Sequence, residues 1–397
     1  MNFEFWYLIF IPIFFVLGWY ASRIDTKHLV DESSNLPNSY FKGLNFLLKE
    51  DYDRAIDSFV EVAKLDTETT ELHFALGSLF RRRGEIDRSI RVHQSLLNRP
   101  DLPAHEASHA RFELAQDYFK AGLLDRAEVE FKNSIKDSKY ALPSYASLLR
   151  VYEITHDWEL AIETLNGLQT LIGKPLSQIV HYYCEIIEDE FRSKNPDLNK
   201  IKSIIEKAHK AHNELGSESN SSVTARLNIV EAKIAKLLKD TEKQKEFLLK
   251  VLEQAPEFGG LVAFQIMDLM RASNHEWEGF ELLRSHYDKY PSIEVFSVLF
   301  DYLANKSQEQ ALDFAKSALV AHPSILALNN ALSSYLKSNT SHEVDNLVLL
   351  KKLISAQSDK LEKYTCNHCG FQAKSFYWQC PGCNNWNTFD HKRVEDR

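Results

Sequence analysis

The chain has 397 residues, of which 44% are apolar and 26% charged, and 56 Asp and Glu outnumber 47 Lys and Arg. This composition is that of a folded protein and excludes wholesale disorder. The net charge of −9 argues against a nucleic-acid partner, which would require a basic face. The longest basic run, Arg81 to Arg83, is predicted to be a solvated helix face. Only 13 Gly and 11 Pro occur, so the chain is predicted to be mostly helical.

The first predicted element is an uncharged, apolar segment from Phe5 to Ser22. As a helix it would be about 27 Å long, which is enough to cross the hydrocarbon core of a bilayer. No basic residue precedes the segment and no small-residue cleavage site follows it, which favours a transmembrane anchor over a cleaved signal peptide. Arg23 and Lys27 follow the span. The positive-inside rule therefore predicts a single-pass membrane protein with the bulk of the chain facing the cytoplasm.

After the anchor (residues 1–27) and a polar linker (residues 28–37), residues 38–363 are predicted to form an array of tetratricopeptide repeats. Gly43 and Gly77 are 34 residues apart. The positions twelve and sixteen residues after each glycine are Ala55 and Phe59 in the first copy and Ser89 and His93 in the second. Small residues let two antiparallel helices approach, and larger ones fill the space beside them. About eight helix pairs and a terminal pair are expected, with the weakest pattern from Leu176 to His212.

Four of the five cysteines lie near the C-terminus, at Cys366, Cys369, Cys380 and Cys383. Two Cys-x-x-Cys turns at this spacing place four thiolates around one tetrahedral ion. Because four thiolates leave no position for water, the ion is predicted to be structural, and zinc is favoured over iron. Residues 364–397 are therefore predicted to be a small metal-binding domain that the metal folds. Its aromatic residues Phe371, Trp378 and Trp386 are expected to pack over the metal site.

Three other features compete with this interpretation or add to it. His368 lies between two of the cysteines, but four sulfurs already complete the metal site. His105, Glu106 and His109 match the His-Glu-x-x-His pattern of zinc proteases. They open a repeat helix and lack any further His ligand, which favours a chance match at an exposed helix start and predicts no catalytic residue. Cys184 is expected to be a buried, unreactive thiol.

The order of anchor, tetratricopeptide array and rubredoxin-like end resembles the lipopolysaccharide assembly protein B family of Gram-negative bacteria over the whole chain. Its most specific segments here are Gly43-Leu-Asn-Phe-Leu-Leu48, Leu79-Phe-Arg-Arg-Arg-Gly-Glu85, Ala121-Gly-Leu-Leu-Asp-Arg-Ala-Glu128, His181-Tyr-Tyr-Cys-Glu185 and Tyr377-Trp-Gln-Cys-Pro-Gly-Cys383. The fold expected is all-α, a tetratricopeptide solenoid with an N-terminal transmembrane helix and a small rubredoxin-like or zinc-ribbon domain. Asn384 stands where rubredoxin often has a Gly after the second knuckle, which disfavours iron.

The resemblance implies a function as well as a fold. It implies a non-enzymatic adaptor of the inner membrane that restrains lipopolysaccharide synthesis. The adaptor would present the lipid A pathway deacetylase to the membrane-bound AAA+ metalloprotease for degradation. The four cysteines map onto the metal ligands of the family. The alternative is a scaffold that coordinates lipopolysaccharide synthesis and export enzymes at the same membrane.

Overall fold

The computed structural model describes residue 19 and residues 38–65, 70–216, 220–338, 344–361 and 363–394. The predicted anchor from Phe5 to Ser22, apart from Trp19, and the predicted linker at 28–37 lie outside these residues. Within the described part of the chain, no helix is both long and apolar enough to cross a membrane. The architecture is mostly helical, a tetratricopeptide-like solenoid followed by a rubredoxin-like ribbon, as the sequence predicts. It divides into two compact units at residues 151 and 152.

The first unit consists of consecutive helices that pack against their neighbours in sequence. Its helices are α1 (Asn38–Leu48), α2 (Tyr52–Leu65), α3 (Thr70–Arg83), α4 (Ile86–Leu97), α5 (Ala104–Lys120), α6 (Leu124–Ser134) and the first part of α7 (Ser138–Thr155). Helix α1 contacts α2, α3 contacts α4, and α5 contacts α6. These are the helix pairs that the repeat pattern predicts.

The two repeated glycines mark the closest approach of the helices within a pair. A Cβ atom placed on Gly43 would lie 2.7 Å from Cε1 of Phe59, and one placed on Gly77 would lie 2.3 Å from Nε2 of His93. Real Cβ atoms essentially never lie this close to another atom, so a side chain at either position would force the facing ring to shift. The sixteen-residue offset in the sequence thus corresponds to direct packing of a side chain on a glycine.

A buried polar network replaces the usual apolar contact in the second pair. Asp117 of α5 is fully buried; its Oδ1 accepts a hydrogen bond from Ser89 Oγ at 2.7 Å, and its Oδ2 lies 2.6 Å from Nδ1 of His93. Arg81 of α3 donates to Asp117 at 2.7 Å and also contacts Glu113. Buried charges need such partners, because an unpaired one costs several kcal/mol. The network therefore joins α3, α4 and α5.

The prediction of a solvated basic face is wrong for Arg81. Its side chain is only 18% exposed and points toward Asp117, whereas Arg82 and Arg83 are exposed. Successive residues of a helix are rotated by about 100°, so three consecutive arginines cannot share one face. The sequence run does not reveal which of them turns inward, because the acidic partner lies 36 residues away.

The second unit contains the remaining helices and the ribbon. Its helices are the end of α7, α8 (Trp158–Ile172), α9 (Gln178–Arg192), α10 (Leu198–Leu215), α11 (Ser221–Leu237), α12 (Thr241–Gln254), α13 (Gly259–Ala272), α14 (Glu276–Tyr287), α15 (Ile293–Lys306), α16 (Gln308–Ala321), α17 (Ile325–Ser338) and α18 (Val344–Leu361). From α9 onward each odd-numbered helix contacts the one that follows. The region from Leu176 to His212, where the repeat pattern is weakest, forms the regular pair α9 and α10.

The ribbon is built on three short antiparallel strands. These are β1 (Tyr364–Cys366), β2 (Gln372–Ala373) and β3 (Phe389–Arg393), with β1 in the centre. Its buried core consists of Tyr364, Cys366, Cys380 and Phe389. Four side chains are too few to stabilise an independent domain, so the ribbon depends on further interactions.

We predict that Gly77→Ala destabilises the protein by about 2 kcal/mol, because the new methyl group would collide with the imidazole of His93. Urea unfolding followed by circular dichroism measures this. Ser78→Ala, at the next position of the same helix and only half-buried, is the control, with an expected change within about 0.5 kcal/mol. Helix propensity alone would make Gly77→Ala stabilise the protein, because alanine favours a helix more than glycine does. A stabilised variant would therefore disprove the close contact.

We also predict a loss of stability in acid that depends on Glu113. Burial raises the pKa of this carboxyl group, but contacts with His109 and Arg81 outweigh it and lower the pKa from 4.5 to about 2. A lowered pKa stabilises the folded state above the unfolded-state pKa, and the stabilisation is lost as the pH falls through the folded-state value. Between about pH 5 and about pH 3, Glu113→Gln should therefore lose about 2 kcal/mol less stability than the parent chain. Equal acid sensitivity of Glu113→Gln and the exposed Glu71→Gln would refute this.

Candidate metal centre

Two equivalent turns position the four cysteines at the end of the ribbon. In the first, the Cys366 N–H donates to the Phe371 carbonyl at 2.9 Å, and in the second the Cys380 N–H donates to the Asn385 carbonyl at 2.9 Å. Each turn closes through a residue in the left-handed region, Gly370 with φ of 75° and Asn384 with φ of 55°. Asn tolerates this region better than any other residue with a Cβ. Asn384 therefore preserves the knuckle at the position where rubredoxin often has glycine.

The two turns bring the four sulfur atoms together. The Sγ atoms of Cys366, Cys369, Cys380 and Cys383 all lie within 4.8 Å of one another. Cys366 Sγ is 3.8 Å from Cys383 Sγ, and Cys369 Sγ is 3.6 Å from Cys380 Sγ. Such separations are those of ligands around one tetrahedral ion with metal–sulfur bonds of about 2.3 Å. His368 does not belong to this group, and within the described residues no other group of three or more such side chains can hold a metal.

Hydrogen bonds to sulfur favour the thiolate form that a metal needs. Burial raises the pKa of Cys366, but contacts with Thr388 Oγ1 at 3.3 Å and with the backbone N–H groups of Cys369 and His368 lower it to about 6. The Gly382 N–H donates to Cys380 Sγ at 3.3 Å. Despite that bond, burial and the neighbouring sulfurs of Cys366 and Cys369 raise the pKa of Cys380 to about 12. Four thiols this close cannot all ionise without a cation between them. A divalent cation would remove this conflict, so the donor set fits one zinc or iron ion.

The aromatic residues of the ribbon pack in two different places. Phe371 packs on the second knuckle, because a Cβ atom placed on Gly382 would lie 3.1 Å from the Cβ atom of Phe371. The prediction that it covers the metal site is consistent with this position. Trp378 and Trp386 instead face the helices, so the prediction is wrong for them. The physical reason is that α9 and α11 present a buried charge that needs these rings.

That charge is the guanidinium of Arg226, a residue of α11 that is 1% exposed. Its Cζ lies 5.7 Å from the ring centre of Trp378 and 5.4 Å from that of Trp386. Its Nη2 forms an ion pair with Glu185 of α9 at 2.5 Å. Cation–π contacts of a desolvated Arg contribute about 2 kcal/mol each. The two tryptophans and the carboxylate together compensate the burial of Arg226.

His181 completes this polar contact in its neutral form. Arg226 Nη1 lies 3.0 Å from His181 Nδ1, and an arginine can only donate, so Nδ1 must carry a lone pair. Full burial and the neighbouring positive charge of Arg226 both lower the pKa of His181 well below its ordinary value. Its ring stacks on Trp386, with centroids 5.1 Å apart and planes inclined by 15°. The imidazole thus connects α9 to the ribbon without adding a second charge.

Two glutamates extend the contact between the ribbon and the helices of the second unit. Glu153 Oε1 accepts hydrogen bonds from Trp386 Nε1 and from Tyr182 OH, both at 2.7 Å. Glu294 of α15 accepts from the hydroxyl of Tyr364 and pairs with Arg393, each at 2.5 Å. Sequence analysis does not identify these carboxylates, because their partners in the ribbon lie 233 residues from Glu153 and 70 and 99 residues from Glu294. Only folding brings them together.

The remaining sequence candidates lie elsewhere. His105 is 79% exposed at the start of α5. His109 is stacked between Phe74, with ring centres 4.0 Å apart, and Tyr140, at 5.5 Å. The two histidines are not brought together as metal ligands. Cys184 is fully buried, and burial raises the pKa of its thiol to about 12, in agreement with the prediction of an unreactive residue.

We predict that Cys380→Ala abolishes binding of the single metal ion and releases the ribbon from the helices. The loss of one thiolate leaves an incomplete tetrahedral site, and apparent binding energies of structural zinc are about 10 kcal/mol or more. Metal content per chain, measured by mass spectrometry, and proteolysis between α18 and β1 report the two effects. Cys184→Ala removes a buried thiol outside the cluster and should keep one ion. Full metal content in Cys380→Ala would disprove the ligand assignment.

Comparison with known proteins agrees with this geometry. Residues 364–391 match the family described as rubredoxin metal binding domain. Over 384 residues the chain is 29% identical to lipopolysaccharide assembly protein B of Escherichia coli K12, covering 96% of each chain. It is 26% identical over 396 residues to the protein of the same name from Haemophilus influenzae Rd, again covering 96% of each.

Solved structures of tetratricopeptide proteins show more distant likeness. The C-terminal part of a repeat protein from Cytophaga hutchinsonii has a TM-score of 0.40 and 12% identity, covering 69% of this chain and 98% of that one. Yeast Tom70 has a TM-score of 0.36 and 14% identity, covering 81% and 84%. The relationship therefore rests on the full-length relatives and on the ribbon. By both, the chain is similar to the lipopolysaccharide assembly protein B family over almost its whole length.

Proposed function

We propose that this protein is a non-enzymatic adaptor that regulates lipopolysaccharide synthesis at the inner membrane. It presents the lipid A pathway deacetylase to the membrane-bound AAA+ metalloprotease, which degrades it. The proposal is supported by the family and by the helical-repeat architecture, which offers long surfaces for protein partners. Residues 5–22 anchor the chain, and the bulk of it faces the cytoplasm.

One observation carries the proposal. The four sulfurs leave no open position on a tetrahedral ion, and the tryptophans beside them are occupied by Arg226 and His181. The ribbon therefore has a structural task, which is to complete the second unit. What that unit offers to other molecules is the surface of its helices, and stacked helix pairs present extended faces that suit protein partners.

Tethering explains how binding alone accelerates proteolysis. An adaptor held in the same membrane as the protease confines its cargo to a thin layer beside the enzyme. The effective concentration of the cargo then rises without any new contact between cargo and protease. The adaptor needs only moderate affinity for each partner, because the two binding events are linked through the membrane.

The alternative function is a scaffold for lipopolysaccharide synthesis and export enzymes. It would use the same helical surfaces and the same anchor, so the architecture is compatible with it. A scaffold would not change the lifetime of the deacetylase. Measuring that lifetime therefore separates the two functions.

We predict that depletion of the protein lengthens the half-life of the deacetylase severalfold, because its cargo is no longer concentrated beside the protease. Immunoblots after arrest of protein synthesis measure the half-life. Re-expression of the parent chain should restore fast turnover, and so should Glu106→Gln, since Glu106 belongs to the chance match with zinc proteases. An unchanged half-life on depletion would leave the scaffold as the better function, and failure of Glu106→Gln would point to catalysis.

A further inference from the structure

A groove runs across three consecutive odd-numbered helices of the second unit. It has a volume of about 690 Å³ and is lined by α13, α15 and α17, with Gln308 at the start of α16. A second depression of about 330 Å³ shares Phe264, Val298 and Asn330 with it and leads toward Arg393 of the ribbon. The two together form one elongated surface. Such a shape suits an extended chain better than a compact small molecule.

The charge of this surface is acidic. Arg271, on the groove wall, is already paired with Glu276 at 2.6 Å, and Arg393 is paired with Glu294. The exposed carboxylates Asp268 of α13 and Asp301 of α15 also line the groove. Among the described residues, no cationic side chain lies within 4.0 Å of Asp268. The carboxylate of Asp268 is therefore available for a basic group of a partner.

An exposed aromatic ring lies beside these carboxylates. Phe264 of α13 is 70% exposed and belongs to both parts of the groove. Its neighbour across the groove, Val298 of α15, is half-buried. A large apolar side chain held in water at the centre of a groove is typical of an anchor point for an apolar side chain of a partner.

Side-chain amides supply hydrogen-bonding groups that do not depend on the partner's sequence. Asn330 of α17 donates from Nδ2 to Ser297 Oγ at 3.1 Å, and its Oδ1 makes no hydrogen bond to the described residues. Asn305 of α15 is exposed and makes none through either atom within the same residues. An amide can both donate to a carbonyl and accept from an N–H group. The backbone of an extended peptide offers both at each residue.

From this combination we infer that the groove binds an extended polypeptide segment in which a Lys or Arg lies next to a large apolar residue. The basic group contacts Asp268 and Asp301, the apolar side chain packs on Phe264, and the amides of Asn305 and Asn330 bind the backbone. The inference deepens the proposed function and rests on it, because it states where the adaptor holds a segment of its cargo or partner.

Two pools of blocked octapeptides test the groove on the purified full-length protein in detergent micelles. Both pools carry one central leucine among random small residues; lysine flanks it in one pool and glutamate in the other. We expect the lysine pool to be retained about fivefold more strongly at low salt, as one or two exposed ion pairs permit. The double variant Asp268→Asn/Asp301→Asn should abolish the preference. Phe264→Ser should weaken retention of the lysine pool about tenfold.

Matched controls lie on helix α16, outside the groove. Asp313→Asn removes an exposed carboxylate and Val320→Ser removes a side chain that is 86% exposed. Neither should change retention. All the altered side chains are exposed, so every variant should keep the parent melting temperature. Equal retention of the two pools, or equal effects of the groove and control variants, would overturn the inference.

The half-life of the deacetylase separates this inference from the proposed function. If the protein retains the lysine pool through Asp268 and Asp301 but its depletion does not change the half-life of the deacetylase, the inference about the groove is supported and the adaptor function is overturned. A half-life that responds to depletion while the pools are retained equally supports the adaptor and overturns the groove. If the groove variants both lose the pool and lengthen the half-life, both proposals are supported.

Discussion

The convergence of four cysteine sulfurs is the constraint on which the second unit depends. Two of the four core residues of the ribbon are cysteines, so bonds from sulfur to a metal take the place of the burial that a larger domain would use. The knuckles also determine where Trp378 and Trp386 lie, because one tryptophan precedes and the other follows the second knuckle. Without the sulfur cluster, neither ring would have a defined position over α11.

Arg226 makes the helices dependent on the ribbon in return. An arginine that is 1% exposed is strongly destabilising unless its charge is compensated, and Glu185 satisfies only part of the guanidinium. The two tryptophan rings and the neutral His181 complete its surroundings. Helices α9 and α11 thus contain a polar core that is finished by residues more than 150 positions later in the chain. A simple repeat array, in which each pair needs only its neighbours, has no such requirement.

The sequence predicts local features well and distant partnerships poorly. Gly77 and the knuckle cysteines are recognised because their partners lie within about twenty residues and impose a fixed spacing. Arg81 and Arg226 are not recognised, because an arginine in an amphipathic helix normally lies in solvent and only the folded chain shows its carboxylate. The orientation of Trp386 is missed for the same reason. A ring near a metal site can cover the metal or a neighbouring element, and composition does not decide between them.

Structural surfaces and binding surfaces of this molecule differ in whether their polar groups have partners within the chain or face solvent. Around Arg226 the charge is compensated within the chain, by the carboxylate of Glu185 and by the faces of Trp378 and Trp386. In the groove across α13, α15 and α17 the cations are paired internally while Asp268, Asn305 and Phe264 face solvent. Keeping an apolar ring and a carboxylate solvated brings the free chain no packing energy. Such groups become favourable only when a partner desolvates them, which is the physical property that an adaptor requires of its binding surface.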